Sequence, residues 1–87
     1  MTISREAFLR GLPAAVGHGL FAVAGSDISG DDEGRRWRIA IVALPDLELG
    51  MIRMPRQRVQ IFLTGYDEAA AQRFLDRFEL YFRRAGG

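Results

Sequence analysis

The predicted C-terminal helix is the feature that most restricts how this 87-residue chain can fold. Phe74, Phe78 and Phe82 recur every four residues, and smaller apolar side chains extend their stripe: Ala71, Leu75 and Ala85. Residues spaced this way lie on one face of an α-helix. Three phenylalanines on one face must be covered, so any fold of this chain has to place a second apolar layer against this helix.

A second, shorter helix is predicted at the N-terminus. Ser4 is suited to cap it, because a hydroxyl at the N-cap accepts a hydrogen bond from a free backbone N–H. Pro13 is expected to end this helix at Leu12, since a proline disfavours the helical conformation in the residue before it. Asp67 is the corresponding N-cap of the C-terminal helix.

The first half of the region between the helices predicts one strand and one long loop. Residues Leu20–Ala24 are the first strand candidate, and they could continue to Ile28 past a kink at Gly25. The segment Ser26–Gly34 is rich in glycine and aspartate, which is typical of an exposed hairpin loop.

The clearest strand spans Arg35–Leu44. Trp37, Ile39 and Ile41 alternate with polar or small residues, as expected of a strand with one buried face. Pro45-Asp46 is predicted to form the turn that follows it.

The next segment, 47–64, can be interpreted in two ways. Its C-terminal part has one clear apolar face, formed by Val59, Ile61 and Leu63. Ile52 and Met54 have the opposite parity, so the apolar phase changes near Pro55. Either a tight hairpin lies at Pro55-Arg56, or one long, bent edge strand contains a bulge. We favour the bulge.

These elements predict an α+β two-layer sandwich. The order is helix, an antiparallel meander of three to four strands, helix, with both helices on one face of the sheet. The length corresponds to a single globular domain over residues 1–87. The hydrophobic content of 48% and charged content of 26% are typical of a folded chain.

The composition removes several kinds of chemistry. All twelve cationic side chains are arginine, cysteine is absent, and His18 is the one histidine. Without lysine there is no Schiff-base amine, and without cysteine there is no thiolate. One imidazole cannot build a multi-histidine metal site, and His18 has no neighbouring nucleophile or carboxylate. We therefore expect a non-enzymatic protein with no catalytic residue, no cofactor and no metal.

The acidic segment 27–34 also fails as a calcium site. Asp27, Ser29 and Asp31 fit the first three ligand positions of an EF-hand loop. The required glycine is replaced by Asp32, and the required glutamate by Arg38. A solvated hairpin tip is the interpretation that remains.

Arginines provide the candidate interaction surface. Two clusters of arginines, one on each of two neighbouring predicted strands, are expected to form a cationic sheet face together with an aromatic ring. One leucine is also expected to be exposed on the last helix. Guanidinium groups bind phosphate bidentately and aromatic rings stack on bases, but cross-strand acids such as Glu48 could neutralise the cluster. The candidate surface comprises Arg36, Arg38, Arg53, Arg56, Arg58, Phe62 and Leu80.

Two functions are compatible with this surface. The first is a protein-interaction or accessory module, with a homodimer as one arrangement, because the strand Leu20–Ala24 has no charge to protect its edge from pairing. The alternative is a nucleic-acid-binding domain that uses the arginine-rich sheet face. The net charge of only +1 favours the first. The expected partner is another protein or a second copy of the chain, with nucleic acid as the less favoured choice.

The expected location is the bacterial cytoplasm. Ala22-Val23-Ala24 resembles a signal-peptide cleavage site, but the segment before it contains Pro13, His18 and several glycines. No stretch approaches the roughly 20 apolar residues of a membrane span, so no membrane association is predicted.

Overall fold

The computed structural model describes residues 1–17 and 20–85, with side chains through Arg83. Helix α1 spans Arg5–Val16 and helix α2 spans Glu68–Ala85. The strands between them form one antiparallel sheet in the order β1-β2-β3-β4. The predicted α+β order of helix, meander and helix is thereby confirmed, with four strands: β1 Phe21–Ala24, β2 Asp27–Asp32, β3 Arg35–Leu49 and β4 Ile52–Thr64.

The core lies between the two helices and one face of the sheet, called here the inner face. The rings of Phe8 and Phe82 stack with centroids 4.7 Å apart, which joins α1 to α2. Trp37 contacts Phe74 with centroids 6.1 Å apart, which joins β3 to α2. Such ring pairs stabilise a core beyond the burial of their area. The buried cluster also contains Leu12, Ile28, Ile39, Ile41 and Phe78.

The helix N-caps are the predicted ones. The hydroxyl of Ser4 accepts a hydrogen bond from the N–H of Ala7 at 3.1 Å. The Oδ1 atom of Asp67 accepts one from the N–H of Ala70 at 2.7 Å. The phenylalanine stripe of α2 is buried as expected, while Ala85 lies outside the described side chains.

The predicted end of α1 at Leu12 is wrong, because the helix continues through Pro13 to Val16. Pro13 lacks the N–H that would bond the carbonyl four residues earlier, but its fixed φ is helical, so the helix can continue through it. The helix ends instead at Gly17, whose φ of 89° is left-handed and whose N–H bonds the carbonyl of Pro13 at 2.9 Å. Burial of Ala15 stabilises this last turn.

The predicted loop Ser26–Gly34 is also wrong, because most of it is strand β2. Gly25 and Ser26 form a two-residue turn, so β1 does not continue to Ile28. A second turn follows at Glu33-Gly34, where both residues have positive φ, as a type I′ hairpin turn requires. Ile28 is fully buried, whereas the aspartates that resemble loop residues face solvent.

The segment 47–64 matches neither of its two interpretations. Strand β3 passes Leu44 and continues to Leu49, and the chain reverses at Gly50-Met51 rather than at Pro55-Arg56. Gly50 is the first residue of this two-residue turn and has a φ of 62°. Glycine adopts such a positive φ readily, and the turn requires it at this position.

A bulge is present, but on β3 rather than on β4. Leu44 pairs with Arg56 and Leu47 pairs with Met54, so two residues of β3 stand opposite the single Pro55. These two residues are Pro45-Asp46, which was predicted to be a turn. The extra residue keeps the alternation of β4 unbroken and restores pairing beyond the bulge.

The β3–β4 hairpin projects beyond the rest of the sheet. Strand β2 pairs with β3 only as far as Ala40, so the hairpin continues without a third strand. Residues 42–58 are called the arm below. At about 3.3 Å per residue its strands are roughly 25 Å long, which accounts for much of the 47 Å long axis of the molecule.

Candidate interaction surface

The outer face of the sheet points away from both helices. Side chains alternate along each strand, so the residues beside the buried Trp37 and Ile39 lie on this face. Arg36 and Arg38 of β3 lie there opposite Thr64 and Phe62 of β4, which the register places directly across. No other element covers this face within residues 1–17 and 20–85.

The two arginines of β3 are paired with aspartates of β2. Arg38 Nη1 lies 2.9 Å from Asp27 Oδ1, and its guanidinium group lies 4.2 Å from the centre of the Phe62 ring. Arg36 Nε lies 3.1 Å from Asp31 Oδ1. These exposed ion pairs cancel the charge of this half of the outer face. Neutralisation by cross-strand acids was one of the outcomes compatible with the sequence.

Arg53 does not belong to the outer face, which corrects its predicted grouping with the other arginines of β4. The alternation of β4 places it on the same side as the buried Gln57. Its partner is Glu48, directly opposite, with Nη2 3.0 Å from Oε1. Arg35 is likewise on the inner side, where it pairs with Asp32 at 3.1 Å.

Arg56 and Arg58 are the outer-face arginines that lack a carboxylate partner among the described residues. Arg56 donates from Nε to the carbonyl of Pro45 at 2.9 Å, so it crosses the bulge. Arg58 is exposed opposite Val42. The uncompensated positive charge of the outer face is therefore located on the arm.

The outer face of the arm is otherwise apolar. Side chains of β4 alternate without interruption through Pro55. Most of the apolar residues of β4 after Pro55 therefore lie on the inner face, whereas those before it lie on the outer face. Leu49 and Ile52 form a direct cross-strand pair and are 57% and 61% exposed. The same face carries Val42, Leu44, Leu47 and Met54.

Apart from the buried Gln57 at its base, the inner side of the arm is exposed and carries polar or small residues, including Asp46, Glu48 and Arg53. The arm is thus amphipathic in the opposite sense to the body of the sheet. The body buries its inner apolar face against the helices, whereas the arm exposes apolar residues on its outer face. Met51 at the tip is fully exposed.

Both edges of the arm carry features that disfavour pairing with another strand. Pro45 interrupts β3 and Pro55 interrupts β4, and a proline has no N–H to donate. At the base of the arm, Met1 and Gln57 exchange two backbone hydrogen bonds of 2.7 and 2.8 Å. The outer face of the arm is therefore more accessible to another chain than its edges are.

The remaining predicted features lie elsewhere. Strand β1, Phe21–Ala24, is an edge strand, and its Val23 side chain is exposed. Leu80 is exposed on α2 beside Tyr81, whose ring lies 5.2 Å from the guanidinium group of Arg77. Since α2 packs against the inner face, Leu80 and the outer-face arginines do not form one continuous surface.

Tyr66 is the described residue with a resolved pKa shift. Burial raises the pKa of its hydroxyl above the ordinary 10.0, the Asp32 carboxylate raises it further, and Arg35 lowers it. The hydroxyl oxygen is buried and has no hydrogen-bond partner among the described residues. This group is therefore neutral at ordinary pH.

Metal-binding clusters and membrane-spanning helices are both absent from the described ranges. No group of three or more acidic, histidine or cysteine side chains is placed to hold a metal there, and His18 lies outside those ranges. Neither α1 nor the described part of α2 is long and apolar enough to cross a membrane.

Comparison with known proteins returned no match. No protein-family model matches the sequence, and no curated protein or solved structure is significantly similar to it.

Proposed function

We propose that this chain is a non-enzymatic protein-interaction module that binds another polypeptide through the outer face of its arm. The observation that carries the proposal is the inverted amphipathicity of the arm. An antiparallel sheet with one solvated face normally presents polar residues to water on that face. Here the solvated face presents Leu49, Ile52 and their apolar neighbours instead.

Exposed apolar surface of this kind favours association. A single exposed leucine is ordinary, whereas the largest contiguous apolar patch on a protein is often a binding surface. The arm places its exposed apolar residues in adjacent cross-strand pairs, so they form one continuous stripe. A partner that covers this stripe would remove it from water, as the two helices do for the inner face of the rest of the sheet.

The charge distribution counts against nucleic-acid binding as the main function. Arg36, Arg38 and Arg53 each pair with a carboxylate, which leaves Arg56 and Arg58 free to bind phosphate. A polyanion binder needs several uncompensated cations on one face. Titration with single-stranded DNA at 50 and 200 mM salt tests this alternative, which requires tight, steeply salt-dependent binding that Arg58→Ala weakens.

Site-specific photocrosslinking in cells of the organism that naturally produces this protein tests the proposed function. A photoreactive residue at Leu49 should give a crosslinked adduct, and one at Glu79, which is exposed on α2, should not. The adduct at Leu49 should disappear when Ile52 is changed to glutamate. It should persist when Thr64, at the opposite end of the outer face, is changed to glutamate.

Absence of any adduct from Leu49 in a folded protein would overturn the proposal. Equal crosslinking from Leu49 and Glu79 would also overturn it, because contact would then not depend on the arm.

A further inference from the structure

We infer that the occupant of the arm is a second copy of this chain, packed outer face to outer face with the two arms antiparallel about a two-fold axis. The inference rests on the proposed function and names the partner of the same surface. In such an interface the same patch of each copy contacts the other, so the patch must be complementary to itself.

The charges of the outer face meet this requirement when the arms run antiparallel. Near the tip the outer face carries no charge, because Glu48 and Arg53 lie on the inner side and pair with each other at 3.0 Å. The base carries Arg56 and Arg58, with no acid on the same face. Antiparallel arms separate the two positive bases and place each one over the uncharged tip of the other copy, whereas parallel arms would place base against base.

The apolar stripe has a suitable centre for the axis. Leu47 and Met54 form the middle cross-strand pair between the tip and the arginines. An axis through this pair places the Leu49–Ile52 pair of one copy over the Leu44–Arg56 pair of the other. The aliphatic stem of an arginine covers apolar surface while its charged group stays in water. Face-to-face sheets pack about 10 Å apart with interdigitating side chains, which this arrangement allows.

The exposed area agrees with a dimer of moderate affinity. Val42, Leu49, Met51 and Ile52 are between 51% and 101% exposed, and three further apolar side chains of the stripe are partly exposed. With on the order of 100 Å² of apolar surface per buried aliphatic side chain, each copy would bury roughly 350 Å². At an apolar share of about 60–65%, the whole interface would approach roughly 1,100 Å², near the lower limit for specific complexes. We therefore expect a dissociation constant in the micromolar range.

The mass in solution across a concentration series tests this inference. By sedimentation from about 1 to 300 μM, the mass should rise from 9.7 kDa toward twice that value and should do so in high salt as well. Leu47→Glu and Leu49→Glu should each weaken dimerisation at least about 100-fold, because each buries a charge among the apolar side chains of the interface. Thr64→Glu is the matched control on the same face and should leave the dissociation constant unchanged.

The absence of native cysteine provides a test of the antiparallel arrangement. A Met51→Cys chain mixed with a Val42→Cys chain should be linked into a heterodimer by a short bismaleimide faster than either chain is linked to itself. An axis through Leu47 and Met54 brings the tip of one copy near Val42 of the other, across the roughly 10 Å between packed sheets, which is too far for a direct disulfide but within reach of the crosslinker. Preferential linkage of two Met51→Cys chains would overturn the arrangement.

The failures of the two proposals are distinguishable. A monomer at all concentrations overturns the homodimer, but a crosslink from Leu49 to a different protein would leave the interaction module intact. A dimer that Val23→Lys disrupts and Leu49→Glu does not would place pairing at the β1 edge and would also overturn the arm as the dimer contact.

Discussion

Replacing Gly30 with alanine should destabilise this fold, because the indole of Trp37 fills the space that the new methyl group needs. Gly30 and Trp37 are direct cross-strand partners on the inner face. An alanine Cβ at position 30 would lie 2.6 Å from Cζ2 and 2.7 Å from Cε2 of the indole. The ring is fully buried and is held by Phe21 and Phe74, whose centroids lie 5.9 and 6.1 Å away.

The cost follows from the displacement required. Carbon atoms pack at about 3.5–4.0 Å, so the indole or the β2 backbone must move by roughly 1 Å in a close-packed core. Overpacking of this kind costs about 1–3 kcal/mol, offset by about 0.4–1 kcal/mol because alanine restricts the unfolded chain more than glycine does. A net loss of about 1.3 kcal/mol would lower the Tm by roughly 5–10 °C in a domain of this size.

Urea unfolding followed by far-UV circular dichroism measures this loss, and a double-mutant cycle assigns its cause. The same substitution in a Trp37→Phe background should cost close to nothing, because the smaller ring leaves room for the methyl group. Unchanged stability of Gly30→Ala would refute the reasoning. An equal cost in both backgrounds would show that the strand backbone at position 30, rather than the indole, is responsible.

Three further results are expected from purified protein. Asp67→Ala should cost about 1 kcal/mol of unfolding free energy by removing the N-cap of α2, and Asp67→Asn should cost much less; a loss equal for both would exclude capping as the cause. Arg36→Ala should cost under about 0.5 kcal/mol, as for an exposed ion pair, while Arg38→Ala should cost about 1 kcal/mol because it also loses the contact with Phe62. Because the pKa of Tyr66 is raised in the folded state, stability should be full below pH 10 and fall as pH rises above it. Tyr66→Phe should flatten that fall in pH-dependent denaturation, and an unchanged slope would contradict it.

Much of the body of the fold could be predicted from the sequence. The spacing of Phe74, Phe78 and Phe82 specified α2 and its buried face, because helical periodicity is a local property. Alternation specified β3 around Trp37 in the same way, and local hydrogen-bonding groups specified both N-caps. These features depend on residues within a few positions of one another.

The errors arose where a distant partner decides the structure. The aspartates of β2 resemble a loop until Arg36 and Arg38 of β3 stand beside them, since a carboxylate is tolerated in a strand when a cross-strand cation neutralises it. Pro45 resembles a turn residue until β4 pairs across it, where it occupies a bulge.

The candidate surface shows the same division. The sequence alone determined that the arginines are numerous, that no nucleophile or carboxylate neighbours His18 along the chain, and that the apolar phase changes near Pro55. Only the tertiary structure decided that Arg36 and Arg38 are neutralised, that Arg53 faces the other side, and that the phase change turns an apolar face outward. The physical reason is that a strand pattern specifies two faces, but which face is buried depends on where the helix layer ends.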